Sequence, residues 1–72
     1  MRMYTLVDNS SNEELTEQIS FTDALLLAET YLKAGDTDVR VFQYARKGFA
    51  YAERWWTAEE FVDTFKFIGN HE

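Results

Sequence analysis

Seventy-two residues allow one small domain, and the absence of cysteine removes disulfides and thiolate zinc sites as ways of holding it together. The formal charge of −6 repels nucleic acid at long range and favours basic surfaces. A hydrophobic content of 46%, with twelve aromatic residues, is too high for a disordered acidic chain and can build a core from few side chains.

The apolar runs fall short of the roughly 20 residues that a membrane-crossing helix needs. Residues 1–4 lead straight into strand-like alternation rather than a signal-peptide stretch, so the expected location is the reducing cytoplasm. Residues 3–7 are rich in strand formers. Residues 8–12, Asp-Asn-Ser-Ser-Asn, form a dense turn cluster. Leu15 to Ile19 alternates with period two, which predicts a returning strand over 14–19 and a long-looped hairpin. Ser20 then caps a helix with Asp23 in its first turn. That helix runs to about Ala34 and ends on Gly35 as a left-handed cap. Glu29 and Lys33 stand at the favourable i, i+4 spacing within it.

Residues 39–45 read as a strand, 46–48 as a turn with Gly48 at positive φ, and 49–56 as the returning strand. Thr57 with Glu60 three residues on is a capping-box pattern. It opens a helix over 58–68 that stops at Gly69 and Asn70. The order is ββαββα, or βαββα without a strand at 14–19. Either order predicts an α+β two-layer sandwich, a small antiparallel sheet with two helices.

Charge is distributed unevenly. Residues 8–38 carry eight acids against Lys33, residues 39–56 are net +3, and residues 57–72 are net −3. At about 100° per residue, Phe21, Ala24, Leu25, Leu27, Ala28, Tyr31, Leu32 and Ala34 share one side of the first helix, and Leu26 falls among its polar residues. In the second helix Ala58, Phe61, Val62, Phe65 and Ile68 form the apolar stripe, and Phe67 falls on the polar side. The hairpin 39–56 is apolar or aromatic on both faces, whereas a half-exposed sheet keeps one face polar.

No catalytic set is visible. The single histidine, His71, lies next to the C-terminal residue, and no nucleophile–base–acid set, phosphate-binding glycine loop or zinc-helix motif is present. No enzyme activity, cofactor or metal is expected. Three binding roles remain. The basic and aromatic residues of hairpin 39–56 could stack a single-stranded nucleic acid, which the net charge disfavours. Its spare aromatic face could join two copies in a homodimer or adaptor. The favoured role is a protein-binding module that presents carboxylates to a protein or nucleoprotein complex with a basic surface.

In size, acidity, lack of cysteine and lack of a catalytic set, the chain resembles the small acidic phage-encoded anti-defence proteins, the anti-CRISPR proteins and antirestriction DNA mimics. That resemblance implies an inhibitor working in a host cytoplasm by occluding a nucleic-acid-binding surface. The basic hairpin departs from the type. Candidate contacts are Glu13, Glu14, Glu17, Asp23, Asp36 and Asp38, with Glu59, Glu60 and Asp63 as a second patch. Leu26 and Phe67 are the candidate apolar anchors within them.

Overall fold

Alternating residues at the N-terminus and in the middle of the chain meet as the central ladder of a three-stranded antiparallel sheet. The computed structural model describes residues 1–69, with side chains as far as Lys66. Its elements are β1 (Met3–Asp8), α1 (Phe21–Lys33), β2 (Val39–Tyr44), β3 (Arg54–Thr57) and α2 (Ala58–Gly69). The sheet order is β1-β2-β3, so β2 is central. The βαββα order therefore holds, and the six-element order with a full strand at 14–19 does not.

Residues 13–19 still return beside β1, but only as two isolated bridges, Val7 with Glu14 and Tyr4 with Ile19. Between the bridges, two more residues are used on the returning side than on β1. Such an excess breaks a ladder into a bulge. Thr16 repairs part of the break, because the Leu6 N–H donates to its Oγ1 at 3.2 Å. Hydrogen bonds Leu15 N to Leu6 O at 2.7 Å and Ile19 N to Tyr4 O at 2.7 Å complete the cover. The edge of β1 is thereby protected without a sixth element.

Local chemistry sets the element ends as the sequence predicts. The Ser20 Oγ accepts from the Asp23 N–H at 3.2 Å and starts α1. Gly35, at φ 87°, follows the α1 cap residue Ala34 in the left-handed region. At α2, the Glu60 N–H donates to Thr57 Oγ1 at 3.1 Å and the Thr57 N–H donates to Glu60 Oε1 at 3.2 Å, a reciprocal capping box. The turn after β1 closes with Asn12 at φ 61° and its N–H donating to Asp8 O at 2.8 Å.

Both helices lie on one face of the sheet. Leu6, Val39, Val41 and Trp56 point into the layer between, where they meet Ala24, Ala28, Ala58, Phe61 and Val62. Alanines at 24, 28 and 58 let the helix backbones approach, and aromatic rings fill the rest. Phe61 is fully buried, with ring centroids of Phe65, Trp56, Tyr4 and Phe21 at 5.0, 5.2, 5.6 and 5.7 Å. Across the helix pair, Lys66 Nζ reaches Glu29 Oε2 at 2.9 Å. Glu29 thus pairs between helices, rather than with Lys33 along its own, because tertiary packing sets a cation beside it.

The second hairpin is shorter than its sequence implies. Only residues 54–57 return as strand, so residues 45–53 form an irregular loop rather than a tight turn at 46–48. Gly48 does take the expected positive φ, 89°. The loop's main chain finds a partner outside the ladder. Gln18 accepts from the Gly48 N–H at 2.7 Å and donates to the Phe49 carbonyl at 3.0 Å.

Truncating Phe61 to alanine costs about 3–5 kcal/mol, as much as the roughly 3–5 kcal/mol of net stability a core this small supplies. The Phe61→Ala chain should therefore be largely unfolded in buffer. Leu26→Ala, on an exposed helix position, should move stability by less than about 0.5 kcal/mol. Urea denaturation followed by far-ultraviolet circular dichroism checks both.

Candidate functional site

The ladder register places most of the acids at one end of the sheet. Asp8 ends β1 opposite Val39, and Val7 bridges Glu14. Asn9 N–H donates to Asp38 O at 2.9 Å, which brings the loop between α1 and β2 alongside. Thr57 pairs with Arg40, so α2 starts at the same end with Glu59 and Glu60 in its first turn. Glu13 and Glu14, Asp8, Asp36 and Asp38, and Glu59 and Glu60 therefore belong to segments that reach the same end of the sheet. Glu13, Glu14, Glu59 and Glu60 are exposed, and Asp36 and Asp38 are half-buried.

Two of the candidate acids go elsewhere. Glu17 and Asp23 flank Ile19 and Ser20, at the opposite end where β1 begins. Asp63 is exposed one turn further along α2. Leu26 is 59% exposed, as its place among polar residues predicts. The side chain of Phe67, and His71, lie outside the described residues. Asp8 belongs with the acidic end, although its sequence setting marks it only as a turn residue. The strand end before a turn was the available signal.

The acidic end is internally braced. Ser10 donates its hydroxyl to Asp38, and Asp38 N–H donates to Asp36 Oδ1 at 3.1 Å. The Ser10 hydroxyl foremost, with the Asn9 side chain, holds the Asp38 carboxyl below its ordinary pKa. At the other end Glu53 accepts from Arg2 at 2.9 Å and from Gln43 at 2.6 Å. The Arg2 bond foremost lowers the Glu53 pKa as well. Gln43 also accepts from the Tyr4 hydroxyl at 3.2 Å, which satisfies a buried amide in the sheet.

The face of the sheet away from the helices carries Arg40, Phe42 and Tyr44 from β2 and Trp55 from β3, over buried Thr5 and Val7. Phe42 and Trp55 stack across the strands at 6.3 Å and 25°. The Arg40 guanidinium lies 4.3 Å from the Trp55 ring centroid. Trp55 is 49% exposed. Arg54 and Trp56 take the other side, where the Arg54 guanidinium lies 4.6 Å from the Trp56 ring.

Among the described residues no three carboxylate or imidazole side chains converge to hold a metal ion. A cavity of about 330 Å³ opens at the start of α1, lined by Met1, Arg2, Tyr4, Ser20, Phe21 and Thr22. No described helix is long and apolar enough to cross a membrane. No protein-family model, curated protein or solved structure matches the chain.

Asp38 and Glu53 titrate lower in the folded chain than in the unfolded one, so the folded state holds fewer protons in the acid range. Their support for the fold is complete above the ordinary carboxylate pKa of about 4. It is lost as pH falls through their depressed folded values. The urea midpoint should be flat from neutral pH down to about pH 5 and then decline. In Glu53→Gln the decline should be shallower.

Proposed function

We propose that this chain is a non-catalytic binding module that docks by its acidic end onto a basic, nucleic-acid-binding surface of a protein or nucleoprotein complex, as an inhibitor does. The observation that carries the reading is the convergence of carboxylates from four separate segments on one end of the sheet. A net charge of −6 on an 8.5 kDa chain gives that end a long reach. The sheet register gathers these segments at one end, and hydrogen bonds hold Asp38 and Asp36 among them. Anions held in place meet a phosphate-binding surface with less ordering cost than mobile ones. Leu26 offers an apolar contact on α1. The likeness in size and acidity to phage anti-defence proteins agrees with this role.

The test leaves the braced residues intact. Glu13, Glu14, Glu59 and Asp63 are changed together to lysine, and Asp36, Asp38 and Glu60 are kept for the turn and the cap. Both chains are used to capture partners from a lysate of the source cell at about 50 mM and about 200 mM salt, where screening differs strongly. The wild-type chain should retain a nucleic-acid-binding protein or complex at low salt, and the lysine variant should not. With the recovered partner, the variant's association rate should fall on the order of tenfold or more, with little change in dissociation. Capture of the same proteins by both chains removes the acidic end as the docking surface.

A further inference from the structure

We infer that the sheet face away from the helices, at β2 and β3, is a second binding surface, and that its occupant is a single-stranded nucleic acid. The surface is distinct from the acidic end and does not depend on the inhibitor reading.

The face has the two features a single strand requires. Trp55 and Tyr51 are exposed and Phe42 and Tyr44 half-buried, and the Arg40 and Arg46 guanidinium groups lie over the Trp55 and Phe49 rings, so rings for bases and cations for phosphates occupy one surface. Arg40, Phe42 and Tyr44 share the outward side of β2, and Arg46 lies just beyond its end in the loop 45–53. Successive outward positions are about 6.6 Å apart, comparable with one nucleotide step of an extended strand. Trp55 continues the ring surface sideways from Phe42 at 6.3 Å and remains 49% exposed. The loop 45–53 extends it further. Arg46 lies 4.5 Å from the Phe49 ring, and Tyr51 is 86% exposed.

Charge decides between occupants. The nearest carboxylate in the loop, Glu53, is already committed to Arg2 and Gln43, and Gln43 is a helix-side residue. Most acids stand at the Asp8–Val39 end of the strands, where Arg40 lies near Asp38, and Arg46 and Lys47 stand at the other end, so that end of the face is cationic while the molecule is anionic. Two copies packed face to face would bring two surfaces of the same sign together. An oligonucleotide supplies both the rings and the anions. The anionic remainder of the chain weakens such binding and keeps its salt dependence modest. Three phosphate contacts give a log–log salt slope of about −2 for a single strand.

The test is a titration of the full chain with oligodeoxythymidylate of about twelve nucleotides, a length within the site sizes of single-strand binders. Trp56 is buried and Trp55 is half open, so quenching of emission reports Trp55. Saturable quenching with a dissociation constant on the order of 10 µM at low salt is expected. Trp55→Ala, read by polarisation of labelled oligonucleotide, should weaken binding about tenfold, in keeping with the loss of one stacked base. Arg46→Glu should flatten the salt slope by about 0.7. The four-lysine variant of the acidic end should bind at least as tightly as the wild type, so loss of partner capture and loss of oligonucleotide binding report on different surfaces.

Four results overturn the inference. One is no saturable quenching up to about 1 mM oligonucleotide, two orders above the expected constant. Another is equal affinity for duplex of the same length. A third is binding unchanged in Trp55→Ala and Arg46→Glu chains that keep the wild-type circular dichroism. The last is a concentration-dependent dimer in sedimentation that shields Trp55 from a neutral quencher, which would give the face to a second copy.

Discussion

Phe61 is the point at which every layer of this molecule meets. Its ring contacts one aromatic residue each from β1, α1 and β3, and a fourth on its own helix. Two further contacts, Phe21 with Phe65 at 5.2 Å and Trp56 with Phe65 at 5.4 Å, close the set around it. Edge-to-face and tilted pairs of this kind add to the area they bury and fix relative orientation. With neither a disulfide nor a metal cluster among its described residues, this ring cluster is what sets the helices on the sheet.

That concentration of aromatic residues has a geometric cost. The two helices of this short chain cover one side of its sheet, and on the other side Trp55 stays half exposed. Tyr4, Phe21, Trp56, Phe61 and Phe65 serve the covered side, and Phe42, Tyr44 and Trp55 are left to the other. The open face must then manage its own apolar rings. It does so by laying a guanidinium on Trp55 and by drawing the loop 45–53 toward Gln18. The charges follow the same geometry. Turns and helix starts, where acids are favoured locally, fall largely at one end of the strands, and the basic loop falls at the other.

How far the sequence revealed this depends on how local each feature is. Caps and turns were legible because their chemistry spans three or four residues, as at Ser20, Gly35 and the Thr57–Glu60 pair. The helix stripes were legible from period alone, and so was the exposure of Leu26. Pairing was not. Residues 14–19 have strand alternation, yet their register against β1 slips by two residues. Residues 49–53 alternate too, but the Gln18 side chain takes bonds that a ladder would have made. Glu29 had a plausible partner on its own helix and found a better-placed one on another. The acidic end was half legible, since the acids could be counted but only the ladder shows that Glu17 and Asp23 part from the rest.

The Gln18 contact also constrains which chemistry the chain tolerates there. One primary amide serves as acceptor and donor at once, toward two consecutive units of the same loop. Hydrolysis of that amide to a carboxylate, the ordinary ageing reaction of glutamine, keeps the acceptor but destroys the donor. It also turns a negative oxygen toward the Phe49 carbonyl. Spontaneous chemical change at Gln18 thus acts directly on the loop 45–53.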